Sequence, residues 1–325
     1  MSLDIVVVGE LNVDLVLTGL PSLPGYRELR LARDMLLTLG SSSAIFACNA
    51  ARLGASVGFV GKAGDDEFGD FMLRSLKQAG VDTSRIIRHP GGHTGICVVM
   101  SFPEDYAMVS FPGIRETFRL EEVDFDYVKT ARHLHMSSFY IQPALRPGIP
   151  QLFRQAKEAG LSTSLDPDND PTGSWNGGMR EALASVDLFL PNEQELMGIA
   201  GKNDLSAAVE EMRGLADTTI VKRGAAGVLI MTHGRTIAVP GFTMDPIDTT
   251  GAGDSFNAGF VVKFLQGAPL EGCTAWGNAC GALSTRALGG TAAFPDSGEL
   301  QRFLAERVEE RERIRSSFVS GGGEE

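Results

Sequence analysis

Asp254 sits inside the string DTTGAGDSFNAGF, Asp248 to Phe260, a tight glycine turn that leads into a helical pattern. Gly251 and Gly253 have no side chains, so backbone N–H groups at the opening of that helix can converge on an oxyanion, aided by the aligned peptide dipoles. Asp254 falls in the first helical turn, beside this positive pocket. A carboxylate next to an anion hole can take a proton from a hydroxyl while the hole steadies negative charge on a phosphoryl group in transfer. The structural alternative is an ordinary glycine turn with Asp254 as a helix-start acid. Two other phosphate-binding loops are excluded: GxxxxGK[ST] occurs nowhere, and a GxGxxG starting at Gly251 requires glycine where Phe256 stands. Phe256, Phe260 and Phe264 recur every four positions, which predicts an amphipathic helix.

Asn12 and Asp14 follow the apolar run DIVVVG, Asp4 to Gly9, which reads as a strand buried on both faces of a parallel sheet. Ligands gather beyond the carboxyl ends of such strands, so the pair is placed to hydrogen-bond a polar substrate or else to satisfy loop backbone. In LGSSS, Ser41, Ser42 and Ser43 follow Gly40 at a helix start, where their hydroxyls can contact a ligand or cap the helix. Asn192 and Glu195, in PNEQE, lie at i and i+3 on one face of a starting helix. Carboxylate and water ligands hold divalent metals on nucleotide phosphates at such positions, and a capping box has the same spacing.

The elements that must position these residues alternate between strand and helix: Arg132–Met136, a helix near Gly148–Ala159, Leu161–Asp166, Val186–Leu190 and Thr218–Lys222, then hairpin strands Val228–Met231 and Arg235–Val239. Two excursions stand apart. Residues 15–38 alternate apolar and polar through Leu29, Leu31 and Met35, and His93 to Ser110 reads as two strands around a Pro103-Glu104-Asp105 turn. Neither is followed by a helix, which predicts a small second sheet. Leu270 to Leu288 reads as a small-residue helix, Ser297 to Ser317 as a charged one, and SGGGEE as a tail.

With 325 residues the chain can bury one large α/β core or two smaller ones. A net charge of -12 gives a nucleic-acid role little support and means that any bound polyphosphate needs a local cation or a metal ion. Cys48, Cys97, Cys273 and Cys280 form no CxxC or metal-ligand spacing and read as buried free thiols in a reducing compartment. The first residues lack a basic n-region, and no apolar segment approaches the ~20 residues that span a bilayer, so the expectation is a soluble, cytoplasmic protein with no membrane contact.

The thirteen residues from Asp248 to Phe260 resemble the second signature of the ribokinase-like, or PfkB, family of carbohydrate kinases. Leu39 to Met72 is similar to the family's first signature, a glycine pair opening a helix, then a strand and a GxxGxDxxG turn. The resemblance runs from the first strand to Pro295. It implies a three-layer α/β/α sandwich with a mostly parallel central sheet and a small β-sheet lid, formed by about 13–38 and 93–112, as a single kinase domain over 1–320 with 318–325 as a flexible tail. The implied reaction moves the γ-phosphoryl of MgATP to a primary hydroxyl of a sugar, with Asp254 as base and Gly251, Ala252 and Gly253 as the anion hole. Asn12 and Asp14 then meet the sugar, with Gly40, Ser41 and Ser42 beside it. Asn192 and Glu195 act on magnesium and phosphate, Glu195 through water. Lys222, Gly224 and Gly227, in the family's KxGxxG, and Asn278 border the adenosine.

Asp248, Thr250 and the carbonyls of ALGGTAAFP imply a potassium site in this reading. The lid implies a homodimer contact, as in some relatives. Departures matter too. Ser41 replaces the second glycine, and Ile45 stands where ribose-phosphorylating members carry asparagine, which puts ribose in doubt. Arg115 could pair with a carboxylate or phosphate on an acidic sugar, or be a solvated surface charge. Asp166-Pro167-Asp168-Asn169-Asp170 lacks the arginine of a DxNxR loop and is assigned no catalytic role. A nucleoside kinase of the same fold and a non-catalytic sugar sensor are the alternatives.

Overall fold

In β1 (Leu3–Val8), Ile5 and Val7 enter one hydrophobic core while Val6 and Val8 enter another. A strand with apolar side chains on both pleats needs cover on both faces, and the rest of the chain supplies it. The computed structural model describes residues 3–103, 106–232 and 234–307. After β1 come β2 (Asn12–Thr18), β3 (Asp34–Leu39), α1 (Ser42–Arg52), β4 (Val57–Gly64), α2 (Glu67–Gln78), β5 (Asp82–His89), β6 (Gly95–Ser101) and β7 (Tyr106–Phe111). Then follow α3 (Phe125–Val128), β8 (Ala131–Met136), α4 (Ile149–Glu158), β9 (Ser162–Leu165), α5 (Met179–Leu183), β10 (Leu188–Phe189), α6 (Glu193–Ala200) and α7 (Leu205–Met212). β11 (Thr218–Lys222), β12 (Val228–Thr232), β13 (Arg235–Val239), α8 (Ala252–Leu265) and α9 (Leu270–Ser284) complete the labelled elements. Residues 297–307 are helical, and the rest of the expected Ser297–Ser317 helix, the tail, and Glu104 and Asp105 lie outside the described residues.

The main sheet runs β13-β12-β11-β10-β9-β8-β1-β4-β5, parallel from β11 to β5, with β12 and β13 antiparallel at one edge. Side chains from α1, α2, α8 and α9 pack on one face, and those from α3 to α7 on the other. This is the expected three-layer sandwich. The smaller sheet, β3-β2-β6-β7, has a parallel central pair, β2 with β6, and antiparallel pairs at its margins.

Three local expectations change. Residues 19–33 form no strand despite the Leu29 and Leu31 alternation: Pro21 and Pro24 donate no ladder hydrogen bond, and both leucines are exposed. α9 stops at Ser284, short of Leu288, where Thr285 caps it. α8 is not amphipathic, because every residue from Asp254 to Val262 is buried. It lies between α1 and α9, with Asn49 Nδ2 3.1 Å from Ser255 Oγ. A Cβ on Gly259 would come within 2.5 Å of Cys280 Sγ, so small residues set this close approach.

Because α8 carries Asp254, its packing fixes the position of that carboxylate. Phe260 is fully buried there. Phe260→Ala is expected to cost about 3–5 kcal/mol in urea unfolding; a loss under about 1 kcal/mol would show that α8 is not anchored through this core.

Candidate active site

Parallel strands deliver their carboxyl ends to one edge of the sheet, and a cavity of about 1300 Å³ opens there. Glu10 follows β1, Ser138 follows β8, Asp166 follows β9, Asn192 follows β10 and Lys222 ends β11; all of them line it. The lid contributes Asn12, Asp14, Val16, Cys97 and Met108, and α8 contributes Gly253 and Asp254.

Asp254 is 7 % exposed, and its carboxylate has no hydrogen-bond partner among the described residues. Burial, then the field of Asp166, pushes its pKa well above the usual carboxylate value, against the opposing pull of Lys222. Beside it, Gly251 adopts φ +71, where a Cβ would strike Gly290 Cα at 2.6 Å. The N–H groups of Gly251, Gly253 and Asp254 have no acceptor among the described residues, so they are open to an anion. The expectation for Ala252 is corrected: its N–H turns back to Thr249 O at 3.1 Å.

Lys222 supplies the local cation. Its Nζ lies 2.6 Å from Asp166 Oδ2 and 3.3 Å from where a Cβ on Gly253 would stand, at the mouth of the helix. Burial opposes its charge, but Asp166 and Glu195 together hold its pKa above the ordinary value. Asn257, one turn along α8, also donates to Asp166. The Asp166 loop, given no role from sequence, is therefore part of the cavity floor.

At the lid end Asn12 forms a relay. Its Oδ1 accepts from Arg115 Nη1 at 2.9 Å and its Nδ2 donates to Asp14 Oδ1 at 3.0 Å. Gly40 admits that pair, since a Cβ there would lie 2.2 Å from Asp14 Oδ1. Burial raises the Asp14 pKa to about 7, Arg115 working against it and Asp248 with it. Arg115 is 7 % exposed, so the surface-charge alternative is wrong.

The serines mostly serve the framework. Ser41 caps α1 through Ala44 N, and its Oγ lies 2.7 Å from Glu10 O; Ser43 Oγ donates to Glu10 Oε2 at 2.6 Å. Ser138 Oγ lies 3.1 Å from Glu10 Oε1 and 2.9 Å from Asp168 Oδ2, which Ser42 also approaches at 3.3 Å. Ser41, Ser138 and Asp168 all hold left-handed backbone, at φ 69, 59 and 55, a strain of order 1 kcal/mol or more each. Burial raises the pKa of both Glu10 and Asp168. Glu10 was missed, although an acid directly after a buried strand and its glycine was the available signal; nothing in the sequence marked Ser138.

At the opposite end Asn192 and Glu195 form a complete capping box, with both Glu195 oxygens accepting from Asn192. Burial and then Asp166 raise the Glu195 pKa to about 8. Gly224, Gly227 and Asn278 line the same cavity, Gly227 at φ +88 with Val239 O 2.1 Å from where a Cβ would be. Asp248 accepts from Thr250 N and Gly289 N, tying two loops together. Of the carbonyls expected to face a potassium ion, Gly290 O is taken by Asn49, and Thr291 O and Phe294 O by Arg52. Among the described residues no three His, Cys, Asp or Glu side chains form a metal-binding group. No helix there is long and apolar enough to cross a membrane. Of the free cysteines, Cys97 is only half-buried, in the cavity wall.

Residues 2–297 match the model of the pfkB family carbohydrate kinases. The chain belongs to the PfkB family. It is 32% identical over 307 residues to the ATP-dependent ribose-1-phosphate kinase of Halopiger xanaduensis, covering 93% of this chain and 98% of that one. Over 291 residues it is 29% identical to a fructokinase of Vibrio alginolyticus, covering 84% and 94%. The structure of Arabidopsis thaliana ribokinase complexed with ribose and ATP matches at TM-score 0.79 and 26% identity, covering 94% and 99%. This PfkB protein is an ATP-dependent carbohydrate kinase, and its lid and sandwich are those of the ribokinase fold.

The cavity of this PfkB kinase concentrates acids with raised pKa values, which gives its stability a pH dependence of known sign. Asp14 and Glu195 hold protons in the folded state up to about 7 and about 8, whereas the unfolded chain releases them near 3.8 and 4.5. Their stabilising effect is full below those unfolded values and is lost as pH rises through the folded ones. Urea midpoints are expected to fall between pH 5 and 8, less steeply in Asp14→Asn; a midpoint that rises over this window contradicts the assignment.

Proposed function

We propose that the enzyme transfers the γ-phosphoryl of MgATP to a primary hydroxyl of a sugar held beneath the lid, with Asp254 as general base. The carrying observation is the unpartnered, buried Asp254 carboxylate beside the open N–H groups of Gly251 and Gly253. The hydroxyl proton passes to Asp254, the alcohol oxygen bonds to the γ-phosphorus, and the bond to the bridging β,γ oxygen breaks to release ADP. Open amides at the helix start and the Lys222 ammonium offset charge on the moving phosphoryl group, a task of positioning and electrostatics. Magnesium, bound with the nucleotide, supplies further charge neutralisation; Glu195, acidic and buried near Asp166, is the residue we assign to it through water, with Asn192 beside it.

Asn12 and Asp14 are the acceptor contacts in this reading, and Gly224, Gly227 and Asn278 border the adenine. Ser41 and Ser42 lie beside the acceptor as parts of the pocket frame. A potassium ion would use Asp248 and Thr250, with loop carbonyls that each keep a second lone pair. The described part of the chain and its lid form one kinase domain, placed in the cytoplasm, where ATP is supplied and its free thiols stay reduced.

Asp254→Asn keeps the shape and removes the base. It is expected to lower kcat by ~10² to 10⁴ while ATP affinity stays within a few-fold. Wild-type turnover in that variant would falsify the assignment. A panel of sugars and nucleosides decides the acceptor class: nucleoside turnover alone would replace the sugar reading, and tight sugar binding without any ATP consumption would mean a sensor.

The lid's edge strand β7 exposes Val109 (63%) and Phe111 (52%) on the face away from the cavity, and its open edge is suited to pairing with a second copy of the lid. We propose a homodimer through this edge. Light scattering is expected to give twice the chain mass, falling to one in Val109→Lys; a wild-type monomer at tens of micromolar would remove the proposal.

A further inference from the structure

We propose that the acceptor carries a phosphate or carboxylate at the end remote from the hydroxyl that receives the phosphoryl group, and that Arg115 binds this anion. The proposal rests on the kinase reading above and names its substrate class.

Among the described residues Arg115 is a buried cation without a counterion. Its two hydrogen bonds go to neutral oxygens, Asn12 Oδ1 at 2.9 Å and Ser110 Oγ at 3.2 Å. A guanidinium offers five N–H donors, so three remain, and the buried Nε has no partner. The contrast with the other buried cations is direct: Lys62 meets Glu122 at 2.7 Å and Lys222 meets Asp166 at 2.6 Å. No ion pair involves Arg115 among the described residues. An unpaired buried charge is costly to keep, and a folded chain that keeps one has a use for it. The acids that feel its field, Asp14 and Glu10, are both pushed toward their neutral forms by burial and are weak substitutes.

The position selects the ligand. Arg115 lines the same cavity as Asp254 and is tied to two lid strands, through Asn12 on β2 and Ser110 on β7. Asp254 feels Asp166, Lys222, Asp168 and Glu10, and Glu10 in turn feels Arg115, so Glu10 lies within electrostatic reach of both. An acceptor spanning them presents a hydroxyl at Asp254 and its anion at Arg115. Arg146 lines the same cavity, donating to Tyr140 O at 3.5 Å, with no ion pair among the described residues. The planar fork of Arg115 suits the paired oxygens of a phosphate or carboxylate. The product would then be a bisphosphate or a phosphorylated sugar acid, and the reaction before this one must already have phosphorylated or oxidised the sugar.

The test compares ribose and fructose with their monophosphates and with ribonate and gluconate as acceptors. At least one anionic acceptor is expected to exceed its neutral parent about 100-fold in kcat/KM, and whether phosphate or carboxylate does so identifies the group. Because Arg115 also steadies Asn12, Arg115→Gln weakens every acceptor; the charge-specific readout is the ratio, which should fall at least tenfold through KM, with Arg115→Lys recovering part of it. Preference for the neutral parent, or an equal loss on both in Arg115→Gln, overturns the proposal. If no acceptor is phosphorylated, the kinase reading itself fails, and calorimetric titration of the unmodified protein with the same compounds still decides: tighter binding of the anions upholds the Arg115 site, and equal binding removes it.

Discussion

The ion pair between Lys222 and Asp166 is the interaction around which the half of the cavity that holds Asp254 is built. Parallel strands end side by side, so the polar residues that follow them crowd into one buried volume. Here Asp166, Glu195 and Asp254 all act on Lys222, which stays charged although it is buried. Without that ammonium the acids would repel one another in a medium that screens poorly, and the open helix start of α8 would face negative charge before any phosphate arrived. Lys222 is tethered at the end of an interior β strand, and Asp254 at the start of a helix buried from Asp254 to Val262. Neither can drift far from the other.

At the other half, order comes from strain and close approach rather than from charge pairing. Ser41, Ser138 and Asp168 adopt left-handed backbone so that their side chains meet around Glu10. Gly40 lets Asn12 and Asp14 lean in from the lid. In the function proposed above, the lid would both cover the acceptor and contribute binding groups, which would couple closure to recognition. Burial pushes Glu10 and Asp14 toward their neutral forms, while Arg115 sits at the lid end with no ion pair among the described residues.

The sequence by itself determined the fold class and singled out the residue proposed here as the base. Continuous apolar strands alternating with helical patterns required a covered parallel sheet, and Asp254 between its glycines could be placed at a helix start because both signals are local. So could Asn12, Asp14, Lys222, Gly224 and Gly227, each of which follows or ends a recognisable strand or turn. Only the tertiary structure decided how α8 is covered, what the serines do, and that Asp166, Asp168 and Glu10 share the cavity. It alone showed that Arg115 is buried with neutral partners. Those facts depend on which strand lies beside which, and sheet order brings β1 next to β8 although more than a hundred residues separate them. Burial and the charges it perturbs are sums over such distant neighbours, and no local run of residues carries them.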